Sequence, residues 1–209
     1  MIEVALATFV TLFVTIDPVG LAPIFVALTQ GMDQATRNRI ALHAALIAVG
    51  VLAAFGLAGE RMLGLIGISL PAFRIAGGML LFLIAVEMLF ERRTQRREKS
   101  AEEAPGHDPT VFPLATPLIA GPGALATMIL LMGQHSGAPG TQAIVLAVMA
   151  GVVLTAYMLF RLSGLVERVL GPLGINMVTR LLGMLLAALA VQFVLDGLGD
   201  VGLLPAEVQ

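Results

Sequence analysis

Six apolar runs, at about residues 4–30, 40–58, 69–90, 111–133, 142–160 and 175–197, leave this chain little choice of fold. A hydrocarbon core of about 30 Å takes roughly 20 apolar residues of helix to cross. In lipid every backbone polar group must be satisfied internally, which allows only helices and closed barrels. A barrel would show short segments of alternating polarity, and these runs are continuous. Charged residues make up 12% of the chain, about half the roughly 25% usual in soluble domains. The expected fold class is an all-α membrane protein with six transmembrane helices.

The same composition removes several kinds of chemistry. Cysteine is absent, so disulfides, thiolate metal sites and cysteine nucleophiles are excluded. His43, His107 and His135 stand without ligand-spaced partners, so no metal and no other cofactor is expected. The chain lacks H-E-x-x-H, G-x-S-x-G and Walker A patterns; it does not read as an enzyme or an ATP-driven pump. The start Met1-Ile2-Glu3 has no basic region and the first run is too long for a signal sequence. Net charge is −2, and nucleic acid is not among the expected partners; the lipid bilayer is.

Basic residues set the expected orientation. With the N-terminus outside, nine of them (Arg37, Arg39, Arg92, Arg93, Arg96, Arg97, Lys99, Arg161, Arg168) fall in inner loops and only Arg61 in an outer one. By the positive-inside rule both termini should be periplasmic. The run Glu91 to Lys99 is charged and poor in apolar residues, so it reads as a solvated cytoplasmic linker.

The halves resemble each other. Gly78 to Met88 aligns with Gly183 to Phe193 at an offset of 105, with six of eleven positions identical. Three spans per copy would invert the second relative to the first. The expected organisation is residues 1–90 as one three-helix repeat, 91–110 as linker, and 111–209 as an inverted second repeat. The first helix of each repeat is broken, at Asp17-Pro18-Val19-Gly20 and at Gly121-Pro122-Gly123. Breaks at corresponding places in two halves are the best sequence pointer to a transporter's binding site.

At the first break, Asp17 should cap a new half-helix with Pro18 at its first position, accepting from the N–H of Val19 or Gly20. At the second, Gly121 has no side chain to cap with, so the N–H groups of Gly123 and Ala124 are free to hold an anion. A zwitterion fits this pair, its ammonium near Asp17 and its carboxylate at Gly121–Ala124. The plain alternative is that glycine and proline only allow close helix packing. Thr15 and Thr116 beside the breaks, and Thr127, are further substrate-binding candidates, although threonine hydroxyls often bond their own helix. Asp17 and Glu87 are the ion-coupling candidates. Arg74 and Arg180, inside the third and sixth spans, could neutralise Asp17 or Glu87 or reach the headgroups.

The segments from Asp17 to Phe25 and from Pro113 to Ala124 resemble the hallmarks of the MarC family of bacterial inner-membrane proteins, and Phe73-Arg74-Ile75-Ala76-Gly77-Gly78 is similar to the start of its third span. The resemblance runs from Val4 to about Gly199. It implies a six-span inner-membrane protein, some of whose relatives are regarded as transporters of small neutral amino acids such as glycine and alanine. The chain departs from the family's pattern at Leu21, often asparagine, and at Ala126, where a hydroxyl is common. The leading expectation is a secondary transporter of small neutral amino acids working by alternating access, coupled to a proton or a sodium ion. The alternatives are a gradient-independent channel or exporter of small solutes, and a non-transporting membrane scaffold. No spacing of small residues selects a dimer face, which leaves a homo-oligomer open.

Overall fold

The computed structural model describes residues 1–102 and 109–203, and every regular element among them is helical. The first apolar run becomes α1 (Ile2–Ile16) and α2 (Pro18–Leu28), followed by α3 (Gln34–Ile66) and α4 (Leu70–Leu89). The charged connector forms α5 (Arg92–Glu102). An irregular segment, Thr110–Ile119, winds in wide π-type turns with extended backbone at Phe112 and Thr116. It meets α6 (Pro122–Gln134) at 56°. The chain continues through α7 (Pro139–Arg161) and α8 (Ser163–Asp200). Among the described residues five spans are long and apolar enough to cross a bilayer, α1 and α2 counting as one, or six if the bent pair around Gly121 is one span.

Two of these helices begin before their apolar runs, for local reasons. Asp33 caps α3, accepting from the N–H of Ala35 at 3.0 Å and of Thr36 at 3.2 Å. Arg37 and Arg39 therefore lie in the helix rather than in a loop. Hydrogen bonds from the Thr36 side chain and N–H hold the Asp33 carboxyl below its ordinary range. A carboxylate lowered on folding stabilises the folded state above its unfolded pKa of 3.8, and that contribution disappears as pH falls through the lowered value. Asp33→Ala should fray the first turn of α3 at neutral pH, seen as faster amide exchange at Thr36, and the wild type should match it only in strong acid. α8 starts at Ser163 and breaks at Gly171, whose φ of +61° suits glycine. Pro172 then supplies no N–H across the break.

The α4–α8 contact is reciprocal. A Cβ on Gly78 would sit 2.7 Å from the Ala190 carbonyl oxygen and 3.1 Å from the Val194 nitrogen. A Cβ on Gly183 would sit 3.3 Å from the Ala85 carbonyl oxygen and 3.5 Å from the Leu89 nitrogen. Gly78 and Gly183, Ala85 and Ala190, and Leu89 and Val194 are each 105 positions apart, so the two halves of the contact exchange roles. Ion pairs join both ends, Arg74 to Asp200 and Arg180 to Glu91, each at 2.7 Å. These arginines thus pair with the helix ends rather than with Asp17 or Glu87. Small residues that let backbones approach are the usual basis of helix association in lipid, where tails compete for apolar contacts.

Outward faces carry large apolar side chains: Leu65 is 89% exposed and Leu173 87%. Only 28% of the most apolar stretch of α4 is buried, at a mean hydropathy of 1.9. A surface this apolar is stable against acyl chains and not against water. The interior lies between α1, α2, α3, α6 and α7, where Phe25 stacks on Phe160 with centroids 4.8 Å apart.

Candidate functional site

Asp17 divides α1 from α2 because its backbone is left-handed (φ 56°, ψ 65°) and Pro18 offers no N–H to continue the ladder. Its N–H closes on the Phe13 carbonyl, and its Oδ1 accepts from the Gly20 N–H at 3.1 Å, the capping bond expected from sequence. Gly20 is needed there, since a Cβ would overlap the Asp17 carboxylate. The carboxylate is fully buried. Thr179 on α8 donates to Oδ1 at 3.4 Å.

The counter-charge comes from the connector. Arg97 donates to Asp17 Oδ2 at 3.0 Å and to the Ile16 carbonyl at 3.0 Å. Arg93, one turn earlier, donates to the Thr15 carbonyl at 2.6 Å and meets the Met88 sulfur at 3.0 Å. Arg97 is only 7% exposed, so the solvated reading of this run fails for it. The cause is the helix break: α1 ends inside the protein with carbonyls that have no intrahelical donors, and guanidinium groups satisfy them. Burial pushes Arg93 down to about 9, with Arg97 adding to the shift and Asp17 opposing it. Burial lowers Arg97 too, against the pull of Asp17. Arginine stays protonated at neutral pH even so.

Next to this pair lies a cavity of about 200 Å³, lined by Thr15, Glu87, Arg93, Arg96 and Arg97 on one side and by the second break on the other. That volume holds roughly six waters, hence a solute of a few heavy atoms. Gly121, Gly123 and Ala124 all face it, and α6 begins there without a side-chain cap. Its first N–H groups are thus available to an acceptor, and the helix dipole favours an anion. Glu87 is paired to Arg96 at 2.8 Å. Among the described residues Arg93 has no carboxylate within salt-bridge distance; its charge is held by the Thr15 carbonyl and by the attraction of Asp17 and Glu87.

The expected residues divide. Thr15, Glu87, Gly121, Gly123 and Ala124 line the cavity, while Asp17 and Gly20 stand behind Arg97. Thr116 and Thr127 do not line it. Thr116 is in extended backbone, its hydroxyl donating to the Val111 carbonyl. Thr127 is fully buried, its hydroxyl without a hydrogen-bond partner among the described residues. Thr11 and Thr15 bond the carbonyls four residues back, at 2.8 and 2.7 Å. Sequence reasoning missed Arg93 and Arg97; the available signal was their spacing of four, which places them on one helix face.

Gly123 marks how closely the parts approach. A Cβ there would lie 2.7 Å from Ile84 Cδ1 and 3.2 Å from Thr15 Cγ2. Gly123→Val should fill this side of the cavity and reduce ligand affinity at least about tenfold, at a stability cost of about 1–3 kcal/mol. Thermal unfolding with and without ligand separates the two effects.

The comparisons agree with the motifs. Residues 2–201 match the profile of the MarC family integral membrane proteins. The UPF0056 membrane protein YvbG of Bacillus subtilis is 35% identical over 94% of this chain and 94% of its own. A UPF0056 membrane protein of Archaeoglobus fulgidus is 38% identical over 93% and 92%. The UPF0056 inner membrane protein YhgN of Escherichia coli is 35% identical over 90% and 93%. No solved structure matches the chain. An all-helical chain with several apolar spans and both proline–glycine breaks, matched along nearly its whole length, belongs to the MarC family of integral membrane proteins.

Proposed function

We propose that this chain is a secondary transporter of small neutral amino acids of the glycine and alanine class. The observation that carries the reading is the cavity: an uncapped helix start on one side, and on the other Arg93 and Arg97 with a fully buried carboxylate behind Arg97. A carboxylate group fits the α6 N–H groups, and an ammonium group fits Asp17. The volume suits a solute of a few heavy atoms. The reciprocal α4–α8 contacts support two inverted repeats, 1–90 and 111–209, joined by the 91–110 connector. Each break also touches the last helix of the other half, Asp17 through Thr179 and Gly123 beside Ile84. Rocking of one repeat against the other would open the site alternately to the two sides. We place the protein in the bacterial inner membrane with both termini outside, from the loop charges. Asp17 holds either that ammonium or the coupling proton or sodium ion.

Uptake of labelled glycine, alanine and serine into proteoliposomes, with pH and sodium gradients imposed one at a time, tests this. The reading expects saturable uptake driven by one gradient. Flux that neither saturates nor follows either gradient would indicate a channel; no flux would leave the scaffold.

A further inference from the structure

α1 stops at a left-handed aspartate followed by a proline, so its terminal carbonyls have no N–H groups above them. The Gly20 N–H, which could have reached back to Ile16, bonds Asp17 instead. The Thr15 and Ile16 carbonyls, both Asp17 carboxylate oxygens and the Thr179 hydroxyl thus form one patch of oxygens at the negative end of a helix. Unwound carbonyls at half-helix ends are what transporters use to coordinate small cations. Here the patch is filled by two guanidinium groups, and both come from α5. Arginines four apart repel one another on a free helix; these two share a site because the patch is negative enough to hold both.

The attachment of α5 is local. It turns back into the protein at Glu91, whose φ of 60° is a left-handed conformation rarely held by a side-chain-bearing residue. Two further charged ties at this end, Arg96 to Glu87 and Glu91 to Arg180, lie at exposed positions, where ion pairs contribute little. Apart from Arg93 and Arg97, α5 has only polar and charged residues from Arg92 to Lys99, so no apolar side chain anchors that stretch.

We propose that the oxygens of Thr15, Ile16, Asp17 and Thr179 are a binding site for a small monovalent cation, and that α5 is a tethered plug whose Arg97 occupies this site until a free cation displaces it. The inference rests on the transport reading for the origin of that cation, the substrate ammonium or an inorganic sodium ion, and on the geometry for where it binds. α5 then sets the apparent affinity, because a site open only part of the time binds weaker by its open fraction.

The test is cation binding to the purified full-length protein by titration calorimetry, with sodium chloride and methylammonium chloride as probes and N-methylglucamine chloride holding ionic strength. Arg97→Gln should bind one of the two probes at least about tenfold tighter than wild type. Adding Asp17→Asn to that variant should abolish the binding. Preference for sodium assigns the site to a coupling ion, and preference for methylammonium to the substrate amine. Equal affinity in wild type and Arg97→Gln, or no binding in a folded Arg97→Gln protein, overturns the plug.

A second readout does not depend on that variant folding. The chain has no cysteine, so Thr94→Cys places a single reporter on α5. Saturating cation should raise its maleimide labelling rate several-fold, and an unchanged rate overturns the proposal. Cation-dependent release of α5 without any amino acid flux would remove the transport reading and leave the plug. Flux without release of α5 would do the reverse.

Discussion

Asp17→Ala is expected to be the most damaging single substitution in this protein, costing about 3–5 kcal/mol of stability and all amino acid uptake. The stability term comes from the Arg97–Asp17 pair: without the carboxylate the guanidinium either stays buried and unpaired or leaves with α5, and the end of α1 then loses its donor. Removing one partner of a buried ion pair leaves an uncompensated charge, and that cost exceeds what the intact pair contributes. Asp17→Asn should cost less, because its amide oxygen still accepts from the Gly20 N–H. Uptake should be lost in both, since neither offers a negative charge to an ammonium group or coupling ion. Chemical denaturation in detergent measures the first effect and proteoliposome flux the second. Adding Arg97→Gln to Asp17→Asn should recover at least half of the lost stability and none of the flux. Without such recovery, the pair is not the source of the cost.

Gly78→Val should follow, at about 3 kcal/mol, and Gly183→Val should cost less. The difference lies in what each new side chain meets. At Gly78 it meets backbone, the Ala190 carbonyl oxygen at 2.7 Å and the Val194 nitrogen at 3.1 Å. Backbone on a packed helix cannot step aside, so α4 and α8 would have to separate. At Gly183 the backbone atoms are at 3.3 and 3.5 Å, with Met88 Cβ at 2.9 Å, so less displacement is needed. Overpacking of this kind typically costs 1–3 kcal/mol, occasionally more. Gly151→Ala serves as control: its Cβ would meet nothing within 4 Å, and alanine in a helix interior should stabilise by about 0.5–1 kcal/mol. If all three variants shift stability alike, backbone approach is not what glycine provides at Gly78.

The breaks were legible in the sequence because they are written locally. Asp17 before Pro18 specifies a cap, Gly121 before Pro122 specifies a start with no cap, and neither depends on distant contacts. The apolar runs were legible because lipid imposes length and continuity on any helix that crosses it. Helix starts before a run were less so: Asp33 carries α3 into a stretch holding two arginines, which hydropathy assigns to a loop. Arg97 was the main miss. A run of alternating charge ordinarily lies in solvent, and only the broken end of α1, about 80 residues earlier, gives these arginines a reason to turn inward. The threonines show the reverse relation. Thr116 and Thr127 are close to the second break in sequence, but extended backbone at Thr116 and burial of Thr127 keep both out of the cavity. Proximity along the chain is not proximity to the cavity when the backbone between is irregular.

Counterflow addresses the central claim most directly, because it requires a site reached alternately from either side and needs no imposed gradient. Proteoliposomes loaded with unlabelled glycine and diluted into trace labelled glycine should accumulate label transiently above its equilibrium level. The overshoot should be competed by alanine and serine and be absent in Asp17→Asn. Label that merely equilibrates, or an overshoot that survives in Asp17→Asn, would contradict a carrier site built from the two helix breaks.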